Sequence, residues 1–361
     1  MGNVRQAVLE SLRAGQVYQA DIVRATGYSR SRISEVLEDL EREGIIGRTQ
    51  FGRNYRVYMK GTLAQPKPGR LRLGIIRSAE YPFVVAFKKF AADIGIDIDL
   101  TVFPNGIDLM KNLSNGQLDL GISPLVTQLY FYFMESPIKI LAPAGAGGSS
   151  LIVNEKISEH PRAASTKLST MELLLRASVS SALIGEFSSM AYAHSAEETM
   201  SMLTSGAVDA VSLWEPYSTY LEKKGFKRIT TYSELGEHYC CTLAANSGLD
   251  YDLISRVLRI YKKAVSEFKN NPEAYLAPYA ALVGISSLSL GKVIHEYQYP
   301  EELDAEVALR QLRQAGVRMP YPGLLKEAVW RRRSFTIFKK RLPISLGSTV
   351  SLARGLFMLA R

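Results

Sequence analysis

Met110, Leu113, Gly116 and Asp119 return ninety positions later, in the same spacing, as Met200, Leu203, Gly206 and Asp209. Both stretches, NLSNGQLDLGISP and MLTSGAVDAVSLWEP, read as the end of an amphipathic helix, a glycine stop and a strand. Used twice, that unit would build two α/β lobes with a cleft between them, in the manner of a clam shell. Two copies alone leave chance likeness between amphipathic helices as the other reading. Around the first copy, strands at 71–76, 98–102 and 118–122 alternate with helices at 81–94 and 107–114. Such alternation predicts a mostly parallel sheet.

The first sixty residues follow a different pattern. Val4, Val8, Leu9 and Leu12 keep helical spacing up to Gly15, and a second helix over 19–25 buries Ile22 and Val23. Gly27 supplies a left-handed turn, and Ser29 caps a third helix over 30–43 with Ile33, Val36, Leu37 and Leu40 on its core face. Gly44 stops that helix. Short strands at 45–48 and 55–58 flank the turn QFGRN. The order of three helices and a two-stranded ribbon resembles a winged helix-turn-helix, with ADIVRATGYSRSRISEVLEDLEREGII running through it without a gap. The resemblance implies double-stranded DNA as partner. It places Ser29, Arg30, Ser31, Arg32 and Ser34 at the groove-facing start of the recognition helix, with Arg53 at the wing tip. Arginine pairs with guanine edges or phosphate, and serine hydroxyls with either. A solvated basic helix start, or a winged helix used for protein contacts, is the competing reading.

Charge divides along the same lines. The net +9 is made of +5 over 1–70, −4 over 71–330 and +8 over 331–361, so the basic ends flank a mildly acidic body. Basic ends favour a polyanion. Residues 61–70 hold two prolines and two glycines and read as a semi-rigid linker. The expected domains are thus a head over 1–60, that linker, a two-lobed body over 71–330 with its second lobe at about 151–238, and a basic tail over 331–361.

Over about 260 of the 361 residues the body resembles type 2 periplasmic substrate-binding proteins, in the group that takes alkanesulfonates, nitrate or thiamine precursors. The stretches that carry it are LGIIR at 73–77, LDLGISP at 118–124, GAGGSSLIV at 145–153 and GAVDAVSLWEPY at 206–217. A helical part over 252–327 containing FKNNPE also fits. Joined to a DNA-binding head, this implies a one-component transcriptional regulator sensing a small polar molecule. LysR-type regulators resemble it in plan, but residues 61–70 cannot form their long dimerising helix. A homodimer is expected for paired half-sites. A cytosolic solute-binding or scaffold protein whose winged helix mediates protein contacts is the second reading.

Ligands of open α/β sheets lie beyond the carboxyl ends of the strands. That rule selects Ser78, Glu80, Tyr81, Asn105, Ser123, Gly148, Ser149, Trp214 and Glu215, together with Ser169 and Thr170 at a helix start whose dipole favours an anion. Tyr81 and Trp214 are expected as apolar walls, Ser123 and Ser149 as donors, and Glu215 as the group that orients a donor. Ser169 with Glu172 reads equally well as a plain capping box. Glu80 and Glu215 disfavour a purely anionic ligand, so a polar aromatic or zwitterionic molecule stands beside a sulfonate.

Catalysis and cofactors find no support. His160, His194, His238 and His295 lack metal-ligand spacing. The only cysteines, Cys240 and Cys241, exclude a disulfide framework and a cysteine-built metal cage. They fall on a predicted crossover strand, where buried packing is expected. An enzyme, a metal and a cofactor are therefore not expected. The opening residues carry Arg5, Glu10 and Arg13 and no apolar core, and no run of 18 uncharged apolar residues follows, so a cytoplasmic protein without a membrane partner is expected. The tail, with basic triplets at 331–333 and 339–341, reads as a solvated terminus, a phosphate-contacting arm or a self-associating amphipathic helix over 346–359.

Overall fold

The structure, a computed structural model, describes residues 2–13, 18–43, 45–51, 54–59, 69–319, 321 and 323–330. Gly15, Gly44, Arg53, most of the expected linker and the basic tail lie outside them.

The head comprises α1 (Gly2–Arg13), α2 (Gln19–Thr26), α3 (Arg30–Arg42), β1 (Ile46–Phe51) and β2 (Asn54–Met59). Gly27 ends α2 at φ +72°, and the Ser29 hydroxyl accepts from the Arg32 N–H at 3.3 Å to start α3. β1 and β2 pair antiparallel, Ile46 opposite Met59 and Phe51 opposite Asn54. Val8, Leu12, Ile22, Ile33, Leu37, Leu40, Ile46 and Val57 form the head's own core, and Val36 packs against it partly buried. Each such side chain contributes about 1.5–3 kcal/mol on burial.

The body begins with β3 (Arg70–Ile76), α4 (Phe83–Ala92), β4 (Asp97–Phe103), α5 (Gly106–Ser114), β5 (Leu120–Pro124), α6 (Leu125–Phe133) and β6 (Ile138–Gly147). Its second part is β7 (Ser149–Val153), β8 (Arg162–Thr166), α7 (Thr170–Ser180), β9 (Ser189–Ala193), α8 (Ala196–Thr204), β10 (Ala210–Trp214), α9 (Tyr217–Lys223), β11 (Lys227–Thr231) and α10 (Tyr232–Leu235). The chain then returns through β12 (Cys241–Asn246). It closes with α11 (Tyr251–Asn270), α12 (Glu273–Val283), α13 (Ser287–Val293), β13 (Tyr297–Gln298), α14 (Ala305–Gln314) and α15 (Leu324–Ala328).

Two sheets result, ordered β13-β6-β12-β5-β3-β4 and β11-β7-β10-β8-β9. The expectation of mostly parallel sheets is corrected: both are mixed. β3 lies parallel between β4 and β5, and β8 parallel between β9 and β10. β12, β13 and β7 run against every neighbour. The physical reason is the crossing chain. It leaves the first lobe along β6, enters the second as β7, and comes back into the first sheet as β12.

Gly147 and Gly148 make the outward crossing possible. At φ +81° and +64° they are left-handed, and a Cβ would stand 2.2 Å from the Glu296 carbonyl or 2.1 Å from the Tyr297 ring. The Gly147 N–H donates to His238 Nε2 at 3.0 Å. His238 Nδ1 lies 3.1 Å from the Gly236 carbonyl, which a proton on Nδ1 satisfies. Burial pushes the His238 imidazole down to about 4, so the ring stays neutral and accepts. No helix of the described residues is long and apolar enough to cross a membrane.

Candidate functional site

The ends of β3, β5, β8 and β10 converge on one small cavity of about 30 Å³. Its lining comes from both lobes: Ile76, Ser78, Glu80, Tyr81, Asn105, Gly106 and Pro124 from the first, and Thr166, Ser169, Thr170, Met171 and Trp214 from the second, with Cys240 and Cys241 on the returning strand. Helix starts supply several of these groups. Asn105 caps α5 by accepting from the Asp108 N–H at 2.9 Å, and Ser169 caps α7 by accepting from the Glu172 N–H.

The lobes touch across the cavity. Asn105 Nδ2 donates to the His194 carbonyl at 2.9 Å, Trp214 Nε1 to the Arg77 carbonyl at 2.9 Å, and Thr170 Oγ1 to the Cys240 carbonyl at 3.0 Å. Arg77 also pairs with Glu197 at 3.2 Å. With these bonds made, the cleft is closed and its interior is shielded from water.

Glu80 is the charged group inside. It is 2% exposed, its Oε1 has no hydrogen-bond partner, and burial pushes its carboxyl up to about 7, against the contrary pull of Cys240, Cys241 and Tyr81. Tyr81 donates to Cys241 Sγ at 3.0 Å. Among the described residues, no arginine, lysine or histidine lines the cavity. Chemically, the site offers a buried acceptor, hydroxyls, two thiols and an aromatic wall.

The periplasmic aliphatic sulphonate binding protein SsuA of Escherichia coli is similar at 18% identity, over 79% of this chain and 99% of that one, with a TM-score of 0.59. The ligand binding component of an ABC-type import system from Staphylococcus aureus, solved with zinc bound, is similar at 19% identity, over 72% and 98%, with a TM-score of 0.62. The body has the two-lobed solute-binding-protein fold. For the head, residues 3–60 match a domain of unknown function, DUF7343. The uncharacterized protein PH0614 of Pyrococcus horikoshii is 43% identical over 54 residues, 15% of this chain. The match spans only 16% of that relative's length.

Within the solute-binding fold, Ser78, Glu80, Tyr81, Asn105, Ser169, Thr170 and Trp214 meet at the cavity, as the strand-end rule anticipates. Four of the expected residues do not line it. Ser123 is buried beneath and accepts from Gln128 Nε2 at 3.1 Å. Gly148 is the crossing glycine packed on Tyr297, and Ser149 faces Trp214 in the β7–β10 register. Glu215 is fully buried just after β10, where it pairs with Arg228 of β11 at 2.9 Å. Sequence reading missed Thr166, which no motif marks, and Met171, which follows the expected Ser169 and Thr170 at the same helix start. It assigned Cys240 and Cys241 to packing; both are buried, and both also line the cavity.

On the head, Ser29, Arg30 and Ser31 are exposed and Arg32 and Ser34 half-buried along the start of α3. Arg32 pairs with Glu35 at 3.0 Å and Ser34 donates to Glu38 at 3.3 Å. Arg30 has no ion pair among the described residues.

Proposed function

We propose that this chain is a ligand-responsive, DNA-binding transcriptional regulator whose head is a winged helix-turn-helix and whose body senses a small polar molecule. The observation that supports it most is the start of α3. A serine-capped first turn bears exposed Arg30 and Ser31 beside Arg32, on a helix whose opposite face, Ile33, Leu37 and Leu40, is sunk in the head's core. That is the arrangement a major-groove helix requires. The regulator is proposed as a cytoplasmic homodimer without catalytic activity.

The cavity lining refines the effector. With Glu80 inside and no cationic side chain among the described residues of the wall, a bare sulfonate or nitrate lacks a counter-charge there. A neutral or zwitterionic molecule that donates hydrogen bonds, such as a thiamine precursor, is better matched. Fluorescence anisotropy of the full chain on DNA upstream of its own coding sequence, over a salt series, tests the DNA-binding reading. Specific binding falls by several decades with salt if about 6–10 phosphates are neutralised. Absence of salt-sensitive binding at low ionic strength sinks the regulator and leaves the second reading, a solute-binding protein whose head contacts protein.

A further inference from the structure

Neighbouring residues of a β-strand point to opposite faces, so adjacent cysteines do not ordinarily share a site. Here they do. Cys241 opens β12, and the pairing with β6 shifts register between Cys241 and Thr242. Cys240, just before the strand, and Cys241 nevertheless hold their Sγ atoms 3.7 Å apart, and both residues line the closed cavity. The third group is 160 positions upstream in sequence. The carboxylate of Glu80 and the two thiols place one ligand atom each within 4.8 Å of one another, and all three residues are buried.

We propose that Glu80, Cys240 and Cys241 form a three-ligand site for a zinc-class divalent cation, with its fourth position open to the cleft. Two thiolates about 2.3 Å from a tetrahedral zinc stand about 3.7 Å apart, the separation of these sulfurs. A thiolate pair selects soft and borderline ions, and the carboxylate oxygen tips the choice from monovalent copper toward zinc. Glu80 Oε1, buried and without a hydrogen-bond partner, is the acceptor a metal would satisfy. Gly145 leaves room for that oxygen: a Cβ there would stand 2.5 Å from it. The Tyr81 hydroxyl already donates to Cys241 Sγ, as outer-shell donors do to metal-bound thiolates. Counting cysteines in the sequence excludes a cage of four; it says nothing of a site whose third ligand folding supplies. An ion here would present its open position to a solute from both lobes. The inference rests on the cleft being a binding site and not on the head's action on DNA.

The test is cobalt(II) and zinc titration of the untagged, reduced full chain. One cobalt per chain should bind with a thiolate-to-cobalt charge-transfer band in the near ultraviolet and intense visible bands of tetrahedral geometry, and zinc should bleach them. Cys240→Ala/Cys241→Ala should abolish the charge-transfer band, and Tyr81→Phe should weaken affinity about 10–100-fold. Glu80→Gln should weaken it further than Tyr81→Phe. A wild-type protein that shows no charge-transfer band overturns the proposal whatever the variants do. So does a double-cysteine variant that keeps the band. If organic solutes raise the melting temperature while neither ion binds, the metal site falls and the solute-binding reading stands.

Discussion

Arg72 holds Asp119 with two arms, its Nη2 2.8 Å from Oδ1 and its Nε 3.0 Å from Oδ2, while the Arg72 backbone N–H donates to the same carboxylate at 2.7 Å. Ninety residues on, Arg162 holds Asp209 in the same way, at 2.8, 3.0 and 2.9 Å. Each pair ties the central parallel strand of its sheet, β3 or β8, to the start of the strand that follows the repeated helix. The helix caps Asn105 and Ser195 keep the same offset, as do Gly116 at φ +70° and Gly206 at φ +73°. The repeat is therefore a three-dimensional unit. Its arginine is the member that the sequence pattern alone did not reveal.

The two pairs differ in exposure, and their substitutions should differ accordingly. Asp119 is fully buried and accepts from both the Arg72 guanidinium and its backbone N–H, so Asp119→Ala should cost about 3 kcal/mol in urea unfolding. Asp209→Ala should cost less, because water reaches Arg162. Equal midpoint losses would contradict this ranking.

Acid should act on the second pair. The Arg162 guanidinium beside Asp209 holds its carboxyl below the usual carboxylate range. A folded-state pKa depressed in this way gives stability that is present above the ordinary carboxylate value and lost as pH falls through the folded one. Wild-type protein should lose stability more steeply than Asp209→Asn as pH is taken below that range. Parallel curves in acid urea titrations would remove Asp209 as the cause.

For the head, Arg30→Ala or Arg32→Ala should weaken specific DNA binding by about 1–3 kcal/mol and relax preference at one base if the side chain reads an edge. A uniform loss across sequences would assign it to phosphate. Unchanged binding by the double variant would move the contact elsewhere on the protein.

Trp214 both walls the cavity and donates to Arg77 across it. Trp214→Ala should cost about 3–5 kcal/mol and end any solute-induced melting shift while DNA binding persists. Trp214→Phe, keeping an aromatic wall but losing the donor, should cost only about 1 kcal/mol. A true effector at about 100 times its Kd should stabilise wild type by about 2.7 kcal/mol. A solute that stabilises Trp214→Ala as much as wild type would place its site outside this cleft.

Gly145→Ala should push Glu80 out of position, since the added methyl would stand 2.5 Å from its Oε1 and 2.8 Å from its Cγ. Overpacking of this kind costs about 1–3 kcal/mol. The variant should lose effector response before it loses fold, checked by comparing its solute-induced melting shift with its near-ultraviolet dichroism.

Much of this protein was legible from local pattern. Apolar spacing located α3 and its core face, Ser29 and Gly27 marked its start and the preceding turn, and the ninety-residue repeat announced two related lobes. These features depend on neighbours along the chain, and propensity and capping act over a few residues. Strand ends likewise brought seven cleft residues within reach of a sequence argument. What tertiary structure alone decided is who meets whom. Glu215, expected at the ligand, has Arg228 as its partner. The parallel sheets became mixed because the chain crosses between lobes twice. Cys240 and Cys241 are buried, as expected for packing, and folding also sets Glu80 beside them. A buried charge is governed by the partner that long-range packing delivers, and sequence spacing carries no record of that partner.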